Sequence, residues 1–165
     1  SVAAAIDGGA RACFIHGGQM DYLLAQGQVD QVPAAIARIK EAGLAAGLAG
    51  HTPRVFEWAE DNLDVDFYMC AYYNPTRRDE RAEHDPSAQE TFASRDRDAM
   101  VHAIQRLSKP TIHYKVMAAG RNDPRRAFEF VGQYLRPQDA VCVGVYTKHR
   151  PQMLEQNLQL LQDVL

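Results

Sequence analysis

Five times along the chain a short apolar run ends in polar or glycine-containing residues and is followed by a stretch with helical periodicity. That repeat points to a β/α architecture and away from a sandwich or a bundle. The runs occupy residues 12–16, 45–49, 66–73, 111–118 and 140–145. Near-continuous apolar runs suit parallel strands, and each interval between them is long enough for a crossover helix. A closed eight-stranded barrel needs about 250 residues, whereas these 165 residues accommodate five units. The expectation is an α/β fold, a partial TIM (β/α)8 barrel forming one domain over residues 1–165, with five parallel strands and outer helices. They would be strands 4 to 8 of a larger barrel, completed by N-terminal strands or by self-association. Residues 1–6 read as a helix ended by Asp7, Gly8 and Gly9, in keeping with that placement.

Composition narrows the function classes. The chain is 46% hydrophobic and 24% charged, with a net charge of −3, which gives no electrostatic case for nucleic acid. No uninterrupted stretch reaches the roughly 18 apolar residues of a membrane span. Cys13, Cys70 and Cys142 fall in expected strands, their odd number fits no disulfide framework, and a reducing cytoplasm is the expected compartment.

Helical stripes account for most remaining apolar residues. Val32, Ile36 and Ile39 share one face, with Pro33 in a first turn and Gly43 as the stop. Ser94 or Asp96 is expected to cap a helix carrying Met100, Val101, Ile104 and Leu107, ended by Pro110. Asp123 followed by Pro124 opens another, with Phe128, Val131 and Leu135 inward, and Leu154, Leu158, Leu161 and Leu165 form the stripe of the last. Residues 74–93 break the pattern; highly charged and holding two prolines, they make either a candidate lid loop or a solvated insertion.

Barrel enzymes place their chemistry where strands end. At the first end, His16 precedes Gly17 and Gly18, which would let substrate approach the backbone; Gln19 follows as a substrate-binding candidate. His16 suits a general acid or hydrogen-bond donor to a carbonyl, or else a structural histidine at the barrel top. At the second end, His51 is a candidate substrate contact, and Thr52 is expected to cap the helix beginning at Pro53. Tyr73 and Asn74 at the third end pair an aromatic face with an amide. In the fourth run, alternation sets His113, Lys115 and Met117 against Ile112, Tyr114 and Val116; the apolar set is expected against the helices, turning Lys115 inward. An inward lysine needs an anionic ligand, a carboxylate partner or a depressed pKa for Schiff-base chemistry. Arg121 adds a cation beyond that run, and Lys148, His149 and Arg150 beyond the fifth run make a candidate phosphate site.

In these residues the chain resembles the second part of an aldo/keto reductase barrel. Ile15-His16 is similar to the family's "IH" at the end of its fourth strand, Tyr73-Asn74 to its "YN" at the sixth, and Glu155-Gln156-Asn157 approaches its "EN" pattern after the eighth. A closer likeness is to a poorly characterised bacterial group of such barrels, through Ile15-His16-Gly17, residues 66–69, and Lys115 with Ala119-Gly120-Arg121. The resemblance implies an NADP-dependent oxidoreductase of carbonyl compounds. In it, His16 would donate to the substrate carbonyl, Tyr73 and Asn74 would lie beside the nicotinamide, and Lys148, Arg150 and Asn157 would face the adenosine phosphate. The family's catalytic tyrosine, aspartate and lysine lie on earlier strands, which these residues do not include. The residues themselves leave open a lyase or aldolase using Lys115, a metal-dependent sugar-phosphate isomerase using His16 and His51, and a non-catalytic ligand-binding remnant.

Overall fold

The computed structural model describes residues 2–77, 80, 87 and 89–164. Five strands, β1 (Ala12–Ile15), β2 (Ala45–Gly50), β3 (Phe67–Ala71), β4 (Thr111–Tyr114) and β5 (Ala140–Val141), form one sheet in sequence order, and every neighbouring pair is parallel. Around them run α1 (Val2–Asp7), α2 (Gly17–Ala25), α3 (Val32–Glu41), α4 (Pro53–Asn62), α5 (Ser94–Ile104), α6 (Pro124–Gly132) and α7 (Met153–Gln162). Crossovers that each advance one strand in the same direction are the connectivity of a barrel wall.

The two faces of the sheet differ sharply. One carries Leu48, Tyr68, Cys70 and Tyr72, fully buried in one cluster with Phe56 of α4, Met100 and Ile104 of α5 and Val131 of α6. The other, the inner wall of the partial barrel, carries Phe14, Phe67, Met69, Ile112 and Tyr114, none of which is buried, and Phe14 is 42% exposed. Gly47 lies between Phe14 and Phe67 in register, and a Cβ there would sit 2.3 Å from the Phe67 ring, so the glycine lets that ring lie across the sheet.

Several local expectations need correction. The fourth strand stops at Tyr114 because Lys115 turns to φ +60°. His113 points to the helix side, where buried partners satisfy it, and Ile112 and Tyr114 point inward, the reverse of the expected assignment. β5 is two residues long, so Cys142 lies beyond it, exposed. Gly17 and Gly18 do not form an open turn but begin α2, an element the apolar pattern did not announce. Neither Ser94 nor Asp96 caps α5, whose first turn follows Ala93 without a side-chain cap. Asp123 does cap α6, accepting from the Arg126 amide at 3.0 Å, and Gly43 ends α3 at φ +75°.

α7 is rotated from expectation. Met153, Asn157 and Leu160 are its half-buried side chains with Leu161, while Leu154 and Leu158 are 60% and 55% exposed. Helical spacing fits both stripes, and Met153, Asn157 and Leu160 are the ones that meet the cavity below β4 and β5. Leu165 and, within the candidate lid of residues 74–93, positions 78, 79, 81–86 and 88 lie outside the described residues. Among the described residues no helix is long and apolar enough to cross a membrane.

Candidate functional site

The turn from β2 into α4 is built around a buried carboxylate. Asp21, in the second turn of α2, is 2% exposed and receives the His51 amide at 2.9 Å, the Thr52 amide at 3.1 Å and the Thr52 hydroxyl at 3.1 Å. Thr52 has the extended backbone of an N-cap, but its hydroxyl serves Asp21 rather than the amides of α4. The fourth donor is His51 Nδ1, 2.8 Å from Asp21 Oδ2. Gly17 makes this possible, since a Cβ there would stand 3.1 Å from the imidazole. With Nδ1–H held by the carboxylate, His51 directs Nε2 toward the hydroxyl of Tyr114, 3.5 Å away on β4. The two rings meet edge to face.

Beyond Tyr114 the backbone enters unfavourable conformations. Lys115, Ala118 and Ala119 have φ of +60°, +47° and +52°, a region that costs a side-chain-bearing residue roughly 1–2 kcal/mol each. Asn122 secures the turn, donating to the Val116 carbonyl at 2.9 Å and the Tyr73 hydroxyl at 3.0 Å. This turn and the start of α7 enclose a cavity of about 630 Å³, whose lining includes Tyr114, Lys115, Tyr146, Arg150 and Asn157. Lys115 Nζ lies 5.9 Å from the centre of the Tyr114 ring. On the other side of His51 a second cavity, of about 690 Å³, is lined by His51, Asn74, Thr76, Arg77 and Arg95 among others. The Thr91 amide donates to the Pro75 carbonyl at 2.9 Å, tying together the two described arms of residues 74–93.

At the opposite end of the strands sits a polar cluster with a different task. Asp139 accepts from Arg136 Nε at 2.8 Å, from the Thr111 amide at 2.9 Å and from His113 Nε2 at 3.2 Å, and its side chain is fully buried. The Tyr72 hydroxyl donates to His113 Nδ1 at 2.9 Å. Burial lowers the His113 pKa against the pull of Asp139, so the imidazole is neutral. Burial works to raise the Asp139 pKa, but the hydrogen bonds from Arg136, Thr111 and His113 prevail and hold it below the usual carboxylate value. Burial also pushes the Cys70 thiol and the Tyr72 hydroxyl up, keeping both protonated. The cluster joins β3, β4 and β5 at the stability face of a barrel.

The residues expected from sequence are distributed as follows. Lys115, Arg150 and Asn157 line one cavity together with Tyr114; His51 and Asn74 line the other. Tyr73 is buried against Phe92. Arg121 stacks 4.4 Å from the centre of the Phe92 ring and pairs with Glu90 at 3.6 Å, at the rim of the first cavity. His16 and Gln19 are exposed at the start of α2, and Lys148 is exposed on the β5–α7 loop; none of the three lines either cavity. Among the described residues no group of three His, Cys, Asp or Glu side chains is placed to hold a metal ion. Asp21 and Tyr114 were not anticipated. For Tyr114 the apolar run, which continues to residue 118, gave no sign that the strand ends there, and Asp21 lies on a helix whose burial only the folded chain reveals.

No family model and no curated protein sequence matches this chain. A solved structure described as "Putative aldo-keto reductase from Pseudomona aeruginosa" is similar over 99% of the chain, with a TM-score of 0.61 and 19% sequence identity. The chain spans 57% of the length of that structure. Its fold is α/β, five parallel strands alternating with helices, and matches about half of an aldo-keto reductase barrel.

Proposed function

We propose that this chain is the cofactor-holding part of a nicotinamide-dependent oxidoreductase acting on carbonyl compounds. The observation that carries the reading is the cavity of about 630 Å³ at the ends of β4 and β5, where Lys115, Arg150 and Asn157 converge. Barrel folds repeatedly bind phosphate in their last loops, and two cations with an amide suit the phosphate end of NADPH. The Tyr114 and Tyr146 rings offer apolar faces beside them. When bound, the nicotinamide supplies hydride. Lys115 and Arg150 would hold the phosphates and Asn157 would hydrogen-bond them, while Asn74, which lines the neighbouring cavity, would meet the carboxamide side. His16, which follows β1 and lines neither cavity, would be the hydrogen-bond donor to a carbonyl oxygen that the reductase resemblance assigns.

Fluorescence titration of the chain with NADPH tests this. Binding is expected to weaken with salt, and Lys115→Met or Arg150→Ala should each weaken it by about 1.5–3 kcal/mol. Lys148→Ala should do less, because Lys148 lies outside the cavity. Absence of binding at millimolar NADPH would remove the oxidoreductase reading.

A further inference from the structure

We infer that Asp21, His51 and Tyr114 form a proton relay that serves a ligand in the cavity beside Lys115, with Tyr114 as the catalytic residue and His51 and Asp21 as positioning residues. The three come from α2, the β2–α4 turn and the end of β4, and the fold brings them into one line: carboxylate to Nδ1 at 2.8 Å, Nε2 to phenol at 3.5 Å. Asp21 and His51 are 2% and 7% exposed, whereas half-buried Tyr114 lines the cavity. A carboxylate held by four donors, one of them an imidazole whose other nitrogen faces a single phenol, is a defined geometry, and such contacts shorten when a ligand binds. The ligand class is a compound with a hydroxyl or carbonyl group and a negative charge within reach of Lys115.

The step balances without a further reactant. The ligand O–H bond breaks as the Tyr114 oxygen takes its proton, the phenol proton passes to His51 Nε2, and the imidazolium so formed faces the Asp21 carboxylate. The electron pair stays on the ligand oxygen as an alkoxide beside the Lys115 cation. Run backward, the relay protonates an oxyanion. Nothing in it requires the nicotinamide reading, and it stands if NADPH does not bind.

Benzenesulfonyl fluoride reads the relay directly, because a phenol that loses its proton to a base attacks sulfur and expels fluoride. Peptide mass spectrometry compares Tyr114 with Tyr22, which is half-buried on α2. In the wild-type chain Tyr114 should label faster than Tyr22, and His51→Gln should slow Tyr114 by roughly a hundredfold while leaving Tyr22 unchanged. Wild-type labelling of Tyr114 no faster than that of Tyr22 would overturn the relay whether or not the variant folds. Equal Tyr114 rates in wild type and a folded His51→Gln chain would do the same.

Discussion

His113 is kept neutral by burial although a carboxylate faces it, and that choice leaves a signature in stability. Its folded pKa lies below its ordinary value of 6.5, so the unfolded chain takes up a proton that the folded one refuses. The contribution is therefore whole above pH 6.5 and is lost as pH falls from there toward the folded pKa. Denaturant melts should show wild-type stability declining over that interval, and His113→Gln should flatten the decline. Asp139, held low, adds a second loss below its ordinary 3.8. Asp139→Ala leaves Arg136 among the carbonyls of Leu107 and Lys109 without its carboxylate, and should cost about 3–5 kcal/mol in chemical denaturation. At this scale the sequence was readable where a residue directly follows a strand, as His51 does. It was silent where meaning depends on a distant partner. Asp21 resembles any acidic residue early in a helix until the turn 30 residues on closes over it, and His113 pairs with Asp139 across 26 residues.

Among the elements, the turn after β4 carries the most strain for its length. Ala119 at φ +52° gains from losing its Cβ, and the gain exceeds the added chain entropy of glycine, so Ala119→Gly should raise stability by roughly 0.5–1 kcal/mol. Lys115→Gly should likewise raise Tm, by about 2–4 °C for each kcal/mol gained, while weakening NADPH binding in the titration above. Opposite signs in those two measurements would identify strain retained for ligand contact; a loss in both would mean that the turn is merely structural. The strands themselves were legible, because four-to-six-residue apolar runs at βα spacing have few other uses. Their ends were not, since β4 stops where the backbone turns at Lys115, which hydrophobicity does not record, and β5 is two residues of a six-residue apolar run. The face assignment of β4 failed for a related reason. Alternation gives two faces, and only partners on neighbouring elements say which is covered.

For the molecule as a whole, an inner wall with Phe14, Phe67 and Met69 incompletely covered, next to the edge strand β1, is expected to act as an association surface. Sedimentation should show concentration-dependent self-association of this chain, and Phe14→Glu should shift it toward monomer; a wild-type chain that stays monomeric throughout would contradict that expectation. The consecutive strand order has a consequence in time as well as space. No strand waits for a later one to be inserted between itself and its neighbour, so the sheet lengthens at one side only, in the order in which a ribosome delivers it. Central β2 and β3, once paired, are held from both sides, while the two-residue β5 hangs on β4 alone. Amide hydrogen exchange should therefore be slowest at Leu48 and Tyr68 and fastest at Val141, and the wall of the candidate ligand cavity would be the last part of the chain to close and the first to open.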